Sequence, residues 1–305
     1  MLIEPLYREM ACGLEKGIFS NFFPKFVQSR ASRSIRIADC GACVGQTAIL
    51  YDNTIRTILN DEAYSNSEIL CYEPLYENIV QLTKNVRERP IIHIVESAVS
   101  DFVGKESFVV PYRFDAMSAS MPAGTSWAGL LKPKDFGSHQ YEMVDVDVLR
   151  LDSQGEFDFI KLDLQGGEIP AIVGLGGSIQ NVSIIYSETS LLPKTGAVDF
   201  LRQNGFVCFY DTLLIGMNNS AKIIDFRKLE SIGINITSGI LPEMCMKETF
   251  LCNGYFDIMN AHLLDDDGEL YPEIAEELTS LGVRFIQSDI IAVNARIAGD
   301  ALNLI

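Results

Sequence analysis

Basic residues are scarce in this sequence. Against 41 Asp and Glu stand 24 Lys and Arg in 305 residues, a formal net charge of −17. A protein that tracks nucleic-acid phosphates needs Lys and Arg to displace counterions. One that adheres to anionic lipid needs the same residues. Neither nucleic acid nor a membrane surface is therefore an expected partner. Long apolar runs are missing too: nothing approaches the ~20 residues of a membrane span, and no basic segment leads into an apolar stretch at the start. Histidine occurs three times (His93, His139, His262) without metal-ligand spacing. Cysteine is present at Cys12, Cys40, Cys43, Cys71, Cys208, Cys245 and Cys252. An odd number scattered through apolar runs points to reduced core thiols in a cytoplasmic protein rather than a disulfide framework.

What is there suits a globular chain: 48% apolar and 21% charged residues. The length fits one large α/β domain, or one domain with an appendage. Short β-rich runs recur at Ile35 to Gly41, Glu68 to Tyr72, Ile91 to Val95, Phe157 to Leu162 and Val182 to Tyr186. Helical spacing separates several of them, after Gln46, from Tyr76 to Arg87 and from Ala197 to Asn204. Near-continuous apolar strands alternating with helices predict a mostly parallel sheet covered on both faces. Residues 1–34 read as an N-terminal helical segment, and 35–212 as the ligand-binding domain. Asp101 to Gly104 and Ser107 to Tyr112 read as an antiparallel excursion. The polar stretch from Met117 to Gln140 interrupts the alternation as a lid or substrate loop. Beyond about residue 212 the alternation weakens. Helices are expected from Pro272 to Leu281 and from Ile290 to Ala298, and 213–305 stands as a C-terminal extension of unassigned role.

In an open parallel sheet, ligands bind beyond the carboxyl ends of the strands. Five such ends carry a carboxylate: Asp39, Glu73, Glu96, Asp163 and Glu188. Helix capping accounts for one or two of these, but not readily for all five. The first junction, Asp39-Cys40-Gly41-Ala42-Cys43-Val44-Gly45, is not a dinucleotide fingerprint. Counting from Gly41, the third position is Cys43 and the sixth is Gln46, so G-x-G-x-x-G fails. What remains, Asp-x-Gly-x-x-x-Gly, suits a ligand with an amino-acid tail and a ribose but no phosphate. S-adenosylmethionine is such a ligand. Its sulfonium and ammonium favour an acidic pocket, and Glu73 in Cys71-Tyr72-Glu73-Pro74 is placed to accept from a ribose diol.

Several segments in order resemble a known family. They are Ile37 to Gly45, Tyr72-Glu73-Pro74, Glu96 to Gly104, Leu151-Asp152, and Phe157 to Glu168 with its Lys-x-Asp-x-x-Gly-x-Glu block. The family is that of the FkbM-type S-adenosylmethionine-dependent methyltransferases, and the resemblance covers roughly residues 35–210. It implies a Rossmann-like class I methyltransferase fold and, most often, methylation of hydroxyl groups on small molecules or sugars. It also implies cofactor contacts from Asp39, Gly41, Ala42, Gly45, Glu73, Pro74, Glu96, Ser97, Ala98 and Asp163. Three departures stand out. Gln165 replaces a usual Glu, Cys43 sits where Asn is common, and Asp52 to Ser67 is longer than usual.

Methyl transfer to a hydroxyl requires a group that positions the nucleophile and takes its proton. Asp163 is the first candidate for this general base or orienter, followed by Glu188 and Glu168. For Asp163 an equal alternative is a carboxylate that caps the next helix or meets the cofactor's amino group. For Glu168 the alternative is a cap on the turn before Pro170. Lys161, two residues before Asp163 and on the same strand face, reads as an ion-pair partner rather than a catalytic amine. A divalent metal bridging Asp163 and the acceptor finds no His or Cys cluster to support it, so no metal ligand is assigned. His93, inside an apolar strand, reads as a core histidine, and His139 as a solvated loop residue. Asp265-Asp266-Asp267-Gly268-Glu269 lacks the alternate-position acids of a calcium loop. Leu192-Pro193-Lys194-Thr195-Gly196 matches a sorting pentapeptide only by coincidence. Trp127, Tyr141, Met117 and Met121 flank the polar insertion, as pocket lining or as core. Two rival readings remain: a non-catalytic binding protein on the same fold, and a nicotinamide-dependent oxidoreductase. The tail either covers the site or forms a homodimer contact, and the sequence favours neither.

Overall fold

Strands form where the apolar runs lie, and the order in which they pair decides where a ligand can sit. The computed structural model describes residues 18–111, 141–164, 166–189, 196–217 and 283–304. The expected lid at 117–140, the helix at 272–281, the acidic run at 265–269, most of the 192–196 pentapeptide, Gln165, His139 and His262 lie outside them.

Helix α1 (Ile18–Gln28) leads into β1 (Arg36–Cys40), α2 (Gln46–Ile58), α3 (Asp61–Ser65) and β2 (Glu68–Tyr72). Next come α4 (Tyr76–Val86), β3 (Ile92–Val95), β4 (Ala98–Val99), β5 (Gly104–Pro111) and β6 (Tyr141–Leu149). The chain continues through β7 (Phe159–Leu162), α5 (Glu168–Val173), β8 (Ile184–Thr189), α6 (Gly196–Gln203), β9 (Phe206–Met217) and β10 (Val283–Asn294). The seven-stranded sheet runs β3-β2-β1-β7-β8-β10-β9. Strands β3, β2, β1, β7 and β8 are mutually parallel, while β10 runs antiparallel to both β8 and β9. This is the mostly parallel, Rossmann-like arrangement that the resemblance implied. The order reverses beside β1, so the switch point lies between β1 and β7.

Alternating residues of each central strand enter two cores. Ala38, Cys40, Ile160, Leu162 and Ile185 pack toward α5 and α6, against Ala171, Ile172, Val198 and Leu201. Ile37, Phe159 and Ile184 pack on the other face with Phe22, Phe26, Tyr51, Ile55 and Leu82 of α1, α2 and α4. Burial on both faces is why these strands read as unbroken apolar runs. The antiparallel excursion is present, as β5 pairs with β6 antiparallel, and β4 joins β6 in parallel.

Two expectations need correction. Ile290 to Asn294 is strand, not helix: Ile290 and Ala292 enter one core, Ile291 and Val293 the other. A short continuous apolar run fits either structure by pattern alone, and here two-sided burial selected the strand. A 3-10 turn, Gly299–Leu304, follows, with Ala298 and Ala301 buried on the α1 side. Within residues 283–304, β10 is a strand of the main sheet. His93 is exposed rather than in the core, because β3 is the edge strand and His93 alternates with the inward Ile92.

Helix α1 is fastened to the amino ends of the strands. Arg30 donates to Asp158 Oδ1 and to Ser183 Oγ, both at 2.7 Å, and lies over the Phe26 ring. Asp158 Oδ2 in turn accepts the Arg36 N–H of β1 at 3.0 Å. The long stretch from Asp52 to Ser67 is occupied by the end of α2 and by α3. There the buried Asp52 pairs with Arg89 and accepts from Tyr64 Oη at 2.8 Å. Among the described residues no helix is long and apolar enough to cross a membrane.

Candidate active site at the carboxyl ends of the parallel strands

Between β1 and α2 the chain must reverse over the top of the sheet, and glycine makes the reversal possible. Gly41 has φ +77°, and a Cβ there would lie 2.0 Å from the Asp163 carbonyl oxygen. Gly45 has φ +87°, and a Cβ there would meet Leu82 Cδ1 at 2.4 Å. Both positions therefore exclude side chains on two independent grounds. Between them Cys43 adopts φ +50°, a left-handed conformation that Asn tolerates far better than Cys. The N–H groups of Gly41 and Ala42 donate to the Tyr72 carbonyl at 3.0 and 3.1 Å, which ties the turn to β2.

Glu73 and Lys161 hold the turn from two sides. Glu73 is buried at the end of β2; its Oε2 accepts the Cys43 N–H and its Oε1 the Leu75 N–H, each at 2.9 Å. Burial raises its carboxyl from 4.5 to about 7, against the pull of Leu75, Asn78 and Cys43. Lys161 of β7 stands in register with Asp39 of β1. Its Nζ donates to the Gly41 carbonyl at 3.1 Å and lies 3.3 Å from both Asp39 Oδ1 and Asp163 Oδ2. The side chains of Lys161, Asp39 and Asp163 are 6%, 0% and 45% exposed, so only Asp163 of the three faces solvent. Burial opposes the charge on Lys161, yet Asp163 and Asp39 outweigh it and hold its pKa above the ordinary lysine value. Burial pushes the Asp39 carboxyl up, and Lys161 draws it back. The Cys43 thiol is pushed up to about 12 by burial and by the neighbouring Glu73, which leaves no thiolate nucleophile near neutral pH.

The expected site residues fall into three groups. Asp39, Gly41, Ala42, Gly45, Glu73 and Asp163 come together around the turn. Pro74 follows Glu73 and is half-buried. Glu96, Ser97 and Ala98 lie where the chain leaves β3 for the small sheet. There Glu96 is exposed, Ala98 enters a separate small core, and Ser97 Oγ donates to the Asp147 carbonyl at 2.9 Å. Glu168 is buried at the start of α5, where Oε1 accepts the Leu164 N–H at 2.7 Å and Oε2 the Gly166 N–H at 3.0 Å. It thus clamps the segment that carries Asp163. Glu188 lies in β8, in register with Asp289 of β10. Among the described residues no group of three His, Cys, Asp or Glu is arranged to hold a metal ion.

Helix α4 contributes support that sequence reasoning missed. Asn85 Nδ2 donates to the Val44 carbonyl at 2.9 Å, Leu82 backs Gly45, and the buried Asn78 bonds to Glu73. The available signal was spacing: Asn78, Leu82 and Asn85 recur on one helical face. The buried Asn78 amide requires polar partners, and Asn85, though exposed, lies along the same face one turn beyond Leu82.

A model of the Methyltransferase FkbM domain matches residues 39–208, more than half of the chain. No curated protein matches. Among solved structures, an FkbM methyltransferase from Methylobacillus flagellatus is 16% identical, over 51% of this chain and 33% of its own, with a TM-score of 0.34. The chain thus spans about a third of that protein's length. A precorrin-6y C5,15-methyltransferase from Geobacter metallireducens is 13% identical over 88% and 87% of the two chains, with a TM-score of 0.36. A Streptococcus pneumoniae protein solved in complex with S-adenosylmethionine is 13% identical over 62% and 64%, with a TM-score of 0.31.

Proposed function

The chain belongs to the FkbM methyltransferase family, and from that premise we propose that it is an S-adenosylmethionine-dependent O-methyltransferase acting on a small hydroxylated acceptor, a sugar or a natural-product intermediate. One observation carries the cofactor reading. Asp39, Glu73 and Asp163 gather around the glycine turn, and the single cation among the described residues there, Lys161, has its ammonium engaged by Gly41, Asp39 and Asp163. A pyrophosphate set against this turn would meet three carboxylates. A ligand with a sulfonium, an ammonium and a ribose diol meets acceptors instead. The donor and acceptor set therefore fits S-adenosylmethionine and disfavours a nicotinamide dinucleotide.

The turn from Gly41 to Gly45 offers a side-chain-free backbone to the amino-acid end of such a ligand. Glu73 keeps acceptor capacity for one ribose hydroxyl, because its oxygens take bonds from the Cys43 N–H, the Leu75 N–H and the Asn78 side chain, and a carboxylate offers about four acceptor sites. Bound there, S-adenosylmethionine supplies a methyl group already activated by its sulfonium. Asp163 acts on the acceptor: it orients the hydroxyl and would take its proton as the oxygen–methyl bond forms and the methyl–sulfur bond breaks, leaving S-adenosylhomocysteine. Holding the two reactants in line can itself account for about 7–11 kcal/mol of barrier lowering. Glu168 acts on the segment rather than on the acceptor, and Glu188 is the second candidate base.

Calorimetric titration of the purified protein with S-adenosylhomocysteine and, separately, with NAD tests the reading. Binding of S-adenosylhomocysteine and not NAD is expected. Binding of NAD alone would sink the methyltransferase reading. Binding of neither would favour a non-catalytic protein on this fold.

A further inference from the structure

Lys161 is a buried ammonium with three N–H bonds and three oxygen neighbours: the Gly41 carbonyl, Asp39 and Asp163. The two carboxylates are not equivalent. Asp39 is sealed beneath the turn and touches no solvent, while Asp163 stands half-exposed on the side a ligand would approach. An ammonium buried without a counter-charge would carry a heavy desolvation penalty. Asp39 supplies that counter-charge from the neighbouring strand, in register. The outward side of the same ammonium is then left for Asp163.

From this arrangement we propose that Lys161 is a positioning residue for Asp163: it keeps the half-exposed carboxylate ionised and fixes its distance from the glycine turn, with Asp39 as the buried counter-ion that holds the ammonium in place. The proposal rests on the reading above that Asp163 faces the acceptor. It adds the device that makes Asp163 ready. A base must be unprotonated before the acceptor arrives, and this carboxylate stands among other acids. Asp39 approaches from β1, Glu73 from β2 and Glu168 from α5, while the Cys43 thiol of the turn stays neutral and adds no charge. Without a cation, their combined field would favour protonation of Asp163. The bond from Nζ to the Gly41 carbonyl adds a geometric role, because one side chain sets both the turn and the carboxylate.

The test reads Asp163 directly. Its carboxyl carbon is followed by NMR against pH in the wild type, with the resonance assigned by its loss in Asp163→Asn. The single variant Lys161→Met leaves Asp39 buried and unpaired, which by itself destabilises the fold. The charge-balanced double variant Asp39→Asn/Lys161→Met removes both buried charges and is the decisive protein. In it the Asp163 midpoint is expected to rise by one pH unit or more, a tenfold loss of carboxylate at a given pH above neither midpoint. A smaller shift, or none, overturns the proposal, since a lysine that merely filled space would leave the midpoint in place. Titration of the wild type with S-adenosylhomocysteine separates the two claims. Failure to bind counts against the methyltransferase reading, whereas an unmoved Asp163 midpoint counts against Lys161 whether or not the probe binds.

Discussion

At the scale of single residues, Glu73 has the most distinctive pH behaviour. Its carboxyl rises from 4.5 to about 7 on burial. Between those values the native protein holds a proton that the unfolded chain has released. The associated stability is complete below about pH 4.5 and is lost as pH rises through about 7, the reverse of a salt-bridged carboxylate. Its size is on the order of 3 kcal/mol. Glu73→Gln cannot ionise, so its melting temperature relative to wild type should climb between pH 5 and pH 8. A constant difference would show that Glu73 is hydrated in the native state. Cys43 offers a second test. A non-glycine residue at φ +50° is strained by about 1 kcal/mol. Cys43→Asn, which restores the residue common in the family, should raise the urea midpoint by the equivalent of ~0.5–1 kcal/mol with an unchanged m-value. No gain would mean that the thiol's own packing offsets the strain.

At the scale of elements, the helices that support the turn matter as much as the strands that end at it. Helix α4 holds it through Asn85 and Leu82, and α1 fastens the opposite end of the sheet through Arg30. Arg30→Ala removes a charged bond to Asp158 and a bond to Ser183, and should cost about 2–4 kcal/mol. Denaturant unfolding measures this; a loss under 1 kcal/mol would show that Arg33, 3.3 Å from the same Asp158 oxygen, substitutes for it. Elements of this kind were legible to different degrees. The apolar runs named β1, β2, β7 and β8 because two-sided burial leaves an unbroken apolar stretch, and β3 because its run is apolar apart from the exposed His93. Their ends were legible because a carboxylate after such a run has nowhere to go but the rim. Lys161 and Asp163 could be placed on one face from their spacing of two. Which neighbour each would meet was not legible, since pairing across strands depends on sheet order. The α4 contacts to the turn are long-range for the same reason. His93 was misjudged because edge and central strands share a pattern.

At the scale of the whole molecule, the acidity that first argued against nucleic acid and lipid gains a local counterpart. Three carboxylates and one cation of the described residues converge at the switch point. The larger surprise is the route of the chain. Strand β10 lies between β8 and β9, though it follows β9 in sequence by 65 residues (218–282). No periodicity in the sequence could announce that insertion. It predicts that a chain ending at residue 282 loses the strand joining β9 to the sheet. Such a chain should unfold without a cooperative transition by circular dichroism. A sharp two-state melt would instead show that β9 finds β8 directly.

That insertion also has a consequence for birth of the protein on the ribosome. When β9 emerges, the strand that joins it to β8 has not yet been made. At about 5–20 residues per second, some 3–13 seconds of translation separate the end of β9 from the start of β10. Through that interval the nascent chain carries an open β8 edge and a twelve-residue strand with no assigned neighbour. Such edges pair readily with other chains. Slow codons between them would lengthen the exposure, and a holding chaperone would shorten its effect.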